Sequence, residues 1–145
     1  DVYKRQDVFS QCDDDFLQQH AIEKGGMNLV DAAASQSLLT AISAVASPQL
    51  ISGGSAANTA VGLAALGGKA AFVGRVHDDE LGAAFCRDIN AAGVKFAATP
   101  AENGAPTASS IILVTPDAAR SMNTFLGASI EFQPEDINLA SAADA

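Results

Sequence analysis

Two glycines followed one turn later by an asparagine, Gly53-Gly54-Ser55-Ala56-Ala57-Asn58, make the stretch of this chain best equipped to hold a polar ligand. They join an extended segment to a helix start through residues without a Cβ, where backbone N–H groups are unpaired and a ligand can come close. Asn58 carries an amide that both donates and accepts, which suits hydroxyl groups. The same pattern also reads as a tight turn into a helix with Asn58 in local hydrogen bonds. Competing motifs fail. A dinucleotide fingerprint needs GxGxxG, and a phosphate loop needs GxxxxGK followed by Ser or Thr, whereas Gly68-Lys69 is followed by Ala70 and Leu63 stands where the first Gly belongs. Gly53-x-Ser55-x-Ala57 is a degraded nucleophile elbow with no matched His and acid.

Other chemistry-bearing residues have plainer readings. Asp78, Asp79 and Glu80 cluster as metal ligands can, but at a helix start they serve more simply as capping and dipole residues. No metal site is assigned. Arg120 can meet a phosphate, and reads more simply as a solvated turn residue. Cys12 and Cys86 lie far apart, without CxxC spacing or His at ligand intervals, and read as two reduced thiols of an intracellular, cytoplasmic protein. Met27 and Leu29 share one face of a strand, as do Met122, Thr124 and Leu126, so each set can present a wall to a flat ring or serve as ordinary core.

The elements that position these residues alternate. Asp13-Asp14-Asp15 caps a short helix to about residue 20, residues 27–30 are extended, and Asp31 caps a helix with Leu38, Leu39, Ile42 and Val45 on one face. Residues 49–52 are extended, residues 56–66 are helical, and Gly67-Gly68 closes that helix. An apolar run at 70–76 has strand length; Asp78 or Asp79 then caps a helix with Leu81, Ala84, Phe85 and Ile89 on one face, stopped by Gly93. This is a strand–helix–strand unit, the building block of a parallel sheet. Short strands at 96–99, 107–115 and 121–126, separated by Glu102-Asn103-Gly104 and Pro116-Asp117, read as a meander with the shape of a flap or lid.

Composition bounds the rest. The chain has 145 residues, thirty of them Ala, with no Trp and one Tyr, so its core is built from small side chains. A net charge of -9 with eight scattered Lys and Arg offers no stripe to neutralise phosphates, which argues against nucleic acid and anionic membranes as partners. Residues 32–68 contain no Asp, Glu, Lys, Arg or His, but Pro48, glycines, Ser and Thr interrupt them, and no 20-residue window is strongly hydrophobic.

The run from Gly53 to Gly68, Gly53-Gly54-Ser55-Ala56-Ala57-Asn58-Thr59-Ala60-Val61-Gly62-Leu63-Ala64-Ala65-Leu66-Gly67-Gly68, followed by Phe72-Val73-Gly74-Arg75-Val76-His77-Asp78-Asp79-Glu80-Leu81-Gly82, resembles the N-terminal signature of the ribokinase-like (PfkB) sugar and nucleoside kinases. Agreement continues through Ala91-Ala92-Gly93-Val94, Pro106-Thr107 and Arg120-Ser121-Met122-Asn123-Thr124-Phe125-Leu126-Gly127-Ala128, and is similar to the adenosine kinase-like branch. His77 stands where such proteins usually have Gly, so it must accept a positive φ or a different turn.

The resemblance implies an α/β sandwich with a mostly parallel sheet and a small β-meander lid, of which this chain is the N-terminal part: lid pieces at about 22–31 and 95–130, and one kinase domain from residue 7 on. It implies ATP and Mg²⁺ as cofactors and phosphoryl transfer to the hydroxymethyl group of an adenosine-like nucleoside, as in purine salvage. Sugar and 2-keto-3-deoxy sugar-acid kinases are the alternative within the family, and a non-catalytic ligand-binding module the alternative outside it. By the same resemblance Asp7 takes the ribose hydroxyls, Gly53, Gly54 and Asn58 serve the other polar groups, and Met27, Leu29, Met122, Thr124 and Leu126 line the substrate pocket. The base and anion hole of the family come from a Gly-Ala-Gly-Asp motif in the C-terminal half, absent here, so no catalytic residue is assigned and the piece alone is expected to be inactive. Residues 1–6 read as a sequencing-library scar, and Pro134-Glu135-Asp136 as the start of a helix cut short. Oligomeric state is not legible.

Overall fold

A computed structural model describes residues 5–137 of the chain. Residues 1–4 of the expected scar, and the continuation of any helix past residue 137, lie outside the described residues. The fold is mixed α/β and divides into two compact units, one of residues 7–51 and 109–126, the other of residues 5–6, 52–108 and 127–137.

The first unit holds a five-stranded sheet in the order β2-β7-β6-β1-β3. Its strands are β1 (Arg5–Gln11), β2 (Met27–Leu29), β3 (Gln49–Gly53), β6 (Ser109–Val114) and β7 (Arg120–Phe125), with β3 running on into the second unit. β2 pairs parallel to β7, and β6 and β7 form an antiparallel hairpin. Two helices, α1 (Asp14–Gln19) and α2 (Ala32–Val45), each start as expected on an aspartate. Asp13 Oδ1 accepts from the Phe16 N–H and Asp31 Oδ1 from the Ala34 N–H, both at 2.8 Å, and such caps contribute about 1 kcal/mol each. Leu17, Leu38 and Ile42 from the helices bury against Val8, Ile111 and Leu113 of the sheet. Val45 leaves this face and is 70% exposed, because the helix ends there and the next residue is already extended.

The hairpin turn is tied to α1 by charge. Lys24 Nζ lies 2.7 Å from Asp14 and 2.9 Å from Asp117, and the Thr115 hydroxyl donates to Asp117 Oδ1 at 2.6 Å. The Thr115 hydroxyl first, and Lys24 second, hold the Asp117 carboxyl down to about 2 from 3.8. A depressed carboxyl stabilises the fold above its unfolded value and loses that contribution as pH falls through the folded one. Between pH 4 and pH 2 the amide resonances of Thr115 and Ala119 are therefore expected to shift together in an NMR titration. Lys24→Met moves the midpoint upward; an unchanged midpoint would show that Lys24 contributes nothing to the turn.

In the second unit α3 (Ser55–Ala65), β4 (Ala70–Phe72), α4 (Glu80–Ala91) and β5 (Val94–Phe96) follow one another, and β4 pairs parallel to β5. A strand–helix–strand unit forms here from β4, α4 and β5, not from the segments at 49–52 and 70–76, since β3 and β4 fall in different sheets; Phe72, Val76, Phe85, Ile89 and Val94 are its core. The rings of Phe72, Phe85 and Phe96 pack with centroids 5.8 and 6.1 Å apart in tilted and edge-on geometry. Gly67 (φ 83°) and Gly93 (φ 82°) end the two helices in the left-handed conformation.

Two further expectations are corrected here. β4 stops at Phe72, not at residue 76: beyond it only single bonds join the chain to a neighbour, such as Ala101 N–H to the Val76 carbonyl. The strand placed at 96–99 lies at 94–96, and it belongs to β4, not to a meander with β6. Gly93 reverses the chain at once, and the Asn90 side chain accepts from the Phe96 N–H, so pairing begins at Val94. The meander is thus reduced to one hairpin, β6–β7, with β2 at its edge. Among the described residues no helix is long and apolar enough to cross a membrane.

Candidate functional site

Alternation along the strands sorts the expected substrate residues of the first unit onto one face. Val8 packs with Ile111 and Leu113 under the helices, so Asp7 and Phe9 turn to the opposite face. The β6–β7 register pairs Ile111 with Asn123, Ile112 with Met122 and Ser110 with Thr124. The β2–β7 register adds Met27 beside Met122 and Leu29 beside Thr124. Asp7, Met27, Leu29, Met122 and Thr124 therefore share the sheet face opposite α1 and α2, together with the buried Ile112 and Ser110. Leu126 follows β7 by one residue and is half-buried.

Exposure along that face is graded. Met27 and Leu29 on the edge strand are 61% and 66% exposed, Met122 is half-buried, and Thr124 is only 4% exposed. Thr124 is also engaged, its hydroxyl lying 3.0 Å from that of Ser110. Of the expected wall, the methionines and Leu29 offer apolar surface, while Thr124 is tied into the sheet. Ser110 was not legible as its partner, because nothing local to either residue announces a pair 14 positions apart. On the helix side of the same strands Asn28 reaches Asn123 at 3.5 Å, and the buried Asn123 Nδ2 has no hydrogen-bond partner among the described residues.

The glycine turn stands in the second unit. Gly53 ends β3, and Gly54 is the N-cap of α3 with φ 102° and ψ 133°, a conformation open essentially to glycine alone. Gly54 gives α3 no side-chain cap; its carbonyl accepts from the Asn58 N–H at 2.9 Å. Both glycines are buried and the Asn58 side chain is exposed. Amides at an uncapped helix start suit an oxygen-rich or anionic ligand. Ser52, just before, donates to Asp88 at 2.6 Å.

The acidic cluster acts as a cap. Asp79 is the N-cap of α4, accepting from the Gly82 N–H at 2.8 Å, with Glu80 in the first turn. His77 does not take a positive φ; among the described residues other than glycine only Ala21 and Ala118 do. The different turn is the one realised: His77 bridges to Ala101, and its N–H donates to the Thr107 hydroxyl. Arg120 is exposed, and among the described residues Cys12 and Cys86 form no disulfide, the Cys12 thiol being raised by burial and by Asp13 and Asp14. Arg75, within the quoted signature but given no role, grips Asp136 at 3.0 and 3.2 Å and the Asn103 carbonyl at 3.3 Å. Its partner is 61 residues away, beyond the reach of any spacing argument.

Three comparisons bear on this geometry. The model of the "pfkB family carbohydrate kinase" matches residues 24–145. Among solved structures, an adenosine kinase from Sinorhizobium meliloti is 44% identical with a TM-score of 0.82, covering 95% of this chain and 43% of its own. A probable sugar kinase from Rhizobium etli is 45% identical with a TM-score of 0.84, covering 99% of this chain and 42% of its own. Among curated proteins, a probable fructokinase-4 of Arabidopsis thaliana is 33% identical over 89 residues, 60% of this chain and 27% of that protein's length. The chain thus spans well under half the length of each of these relatives.

Proposed function

Because the chain belongs to the pfkB family of carbohydrate kinases, we propose that the intact protein transfers the γ-phosphoryl group of ATP to a hydroxymethyl group of an adenosine-like nucleoside. The observation that carries this reading is the shared sheet face, where one carboxylate, Asp7, accompanies an apolar row containing Met27, Leu29 and Met122. A carboxylate accepts only, through two oxygens, and suits the two protons of a vicinal diol; an apolar row suits the flat base beside it. The 44% identity to an adenosine kinase supports the nucleoside. In this proposal Asp7, Met27, Leu29, Met122, Thr124 and Leu126 of the first unit are substrate-binding residues, and Gly53, Gly54 and Asn58 of the second unit are proposed as such on the geometry of their own turn. Residues 22–31 and 95–130 supply the lid of one kinase domain beginning at residue 7. Such a lid excludes water that would compete for the phosphoryl group.

ATP and Mg²⁺ are implied by the family. Among the described residues no group of three His, Cys, Asp or Glu could hold a metal ion, and Asp79, Asp117 and Asp136 are engaged with backbone or cations. No step is derived through a nucleotide–metal site. We assign that site and the catalytic base to the remainder of the longer protein, and the 145-residue piece alone is read as inactive.

A sugar substrate is the second reading, favoured by the 33% identity to a fructokinase and the 45% identity to a probable sugar kinase. The test is isotope transfer from labelled ATP by the full-length protein to adenosine, its 2′- and 3′-deoxy analogues, fructose and 2-keto-3-deoxygluconate. We expect adenosine to be phosphorylated and both deoxy analogues to be poor. Fructose or the keto acid as the better acceptor would replace the nucleoside reading; no transfer to any acceptor would favour a ligand-binding module. The isolated 145-residue piece is expected to transfer nothing, and activity there would refute the assignment of the base to the missing part.

A further inference from the structure

Asn103 is the one asparagine of the sequence that is followed by glycine. Asn103 and Gly104 are both exposed, in a bend of the second unit that belongs to neither helix nor sheet. Among the described residues no hydrogen bond holds the Asn103 side-chain amide or the Gly104 N–H. Asn90, by contrast, spends its amide on the Cys86 carbonyl and the Phe96 N–H. The main-chain carbonyl of Asn103 is engaged: Arg75 Nη2 donates to its oxygen at 3.3 Å. Both ends of the bend are tied down, Ala101 by bonds to Asp78 and Val76 at 2.8 Å and the Ala105 N–H by the Glu131 carboxylate at 3.1 and 3.3 Å. Gly104 has φ 109°, and a Cβ there would run into Glu131 Oε2, so the bend requires glycine at this position.

We propose that Asn103-Gly104 is a site of spontaneous deamidation, assisted by Arg75, with isoaspartate as its main product. The Gly104 nitrogen gives up its proton and bonds to Cγ of Asn103; the Cγ–NH₂ bond breaks and ammonia leaves, closing a five-membered imide. Water then opens the ring. Attack at the side-chain carbonyl leaves aspartate, and attack at the main-chain carbonyl leaves isoaspartate, with the chain rerouted through Cγ. The Arg75 guanidinium favours two of these steps. It stabilises the negative charge that spreads onto the Asn103 oxygen as the Gly104 nitrogen is deprotonated, and it draws water to that same carbonyl. The missing Cβ leaves the nitrogen open to approach. Isoaspartate lengthens the main chain between two tied ends, so the bonds from the bend to Arg75 and Glu131 must give. None of this depends on the kinase reading.

The test ages the full-length protein in warm neutral buffer, folded and in urea, and maps its peptides by mass. The peptide carrying Asn103 is expected to gain about one mass unit, as NH₂ becomes OH, and to accept a labelled methyl group from an isoaspartyl methyltransferase. The folded protein should react at least as fast as the chain in urea and give more isoaspartate relative to aspartate, while Asn90 stays intact. A folded protein that keeps its mass while the urea sample reacts would overturn the site. The same product ratio in both samples would remove Arg75 from the ring opening, a comparison that needs no variant. Arg75→Gln is expected to slow the folded protein several-fold and leave the urea sample unchanged; equal rates in the folded state would overturn the assistance. Asn103→Gln keeps the main-chain carbonyl for Arg75 but would have to close a six-membered ring, so it should neither gain mass nor lose Tm with age. Aged wild type should unfold at a lower temperature than fresh protein, and an unchanged Tm after full conversion would overturn the loosening of the bend.

Discussion

Replacing Asp7 by Ala in the full-length protein is expected to lower kcat/KM for its substrate about 10³-fold or more, since a site built to bond hydroxyls loses discrimination of that order when the bonds go. Asp7 is half-buried on the sheet face opposite α1 and α2, while its neighbour Val8 is locked in the core under those helices. The core side chain fixes the strand, and strict alternation then fixes which way the carboxylate points. The decisive measurement is a cycle crossing Asp7→Ala with the 2′- and 3′-deoxy analogues. Wild type should reject both analogues; the variant should treat them like the parent substrate, because the acceptor that told them apart is gone. Asp7→Asn keeps one carbonyl oxygen and should fall between. A variant that still rejects the deoxy analogues would remove Asp7 from the site and leave diol recognition to the Gly53, Gly54 and Asn58 turn.

How far the sequence carried depended on the range of the force involved. Caps and stops are local, and Asp13, Asp31, Asp79, Gly67 and Gly93 all act where their residue types place them. Period two put Met27 with Leu29 and Met122 with Thr124, and the ladders bear out those shared faces. Pairing between distant strands carries no local mark. β5 looks like the first strand of a meander until its partner is known, and only the partnership with β4 shows that it closes a strand–helix–strand unit instead. The same limit hid the side-chain ties: Ser110 to Thr124, Ser52 to Asp88, Arg75 to Asp136 and Asp79 to Thr107 each join residues with no spacing rule between them. Asp79 was legible as a cap because that bond spans three residues, and its bond to Thr107 was not because it spans 28.

Gly82→Ala is expected to destabilise the protein by about 2 kcal/mol or more, against the usual preference for alanine in a helix. Both Gly82 and Gly62 lie inside helices, α4 and α3, and on propensity alone each change should stabilise by about 1 kcal/mol. Their surroundings are opposite. A Cβ at Gly62 meets nothing within 4 Å, whereas at Gly82 it runs into the carbonyl oxygen of His77, with the Thr107 hydroxyl at 3.0 Å and Asp79 Oδ1 at 3.3 Å. The His77 carbonyl is backbone, braced by the bridge to Ala101 and by Thr107, so it cannot swing aside as a flexible side chain would. Making room means moving α4 away from this turn, which stretches both Asp79 bonds and loosens the packing of Phe85 and Ile89 on the same helix. Thermal unfolding of the two full-length variants should therefore move in opposite directions, Gly62→Ala upward and Gly82→Ala downward by several degrees. A Gly82→Ala protein as stable as wild type would mean that the helix start yields without cost, and that the close approach of α4 to the His77 carbonyl is not a constraint.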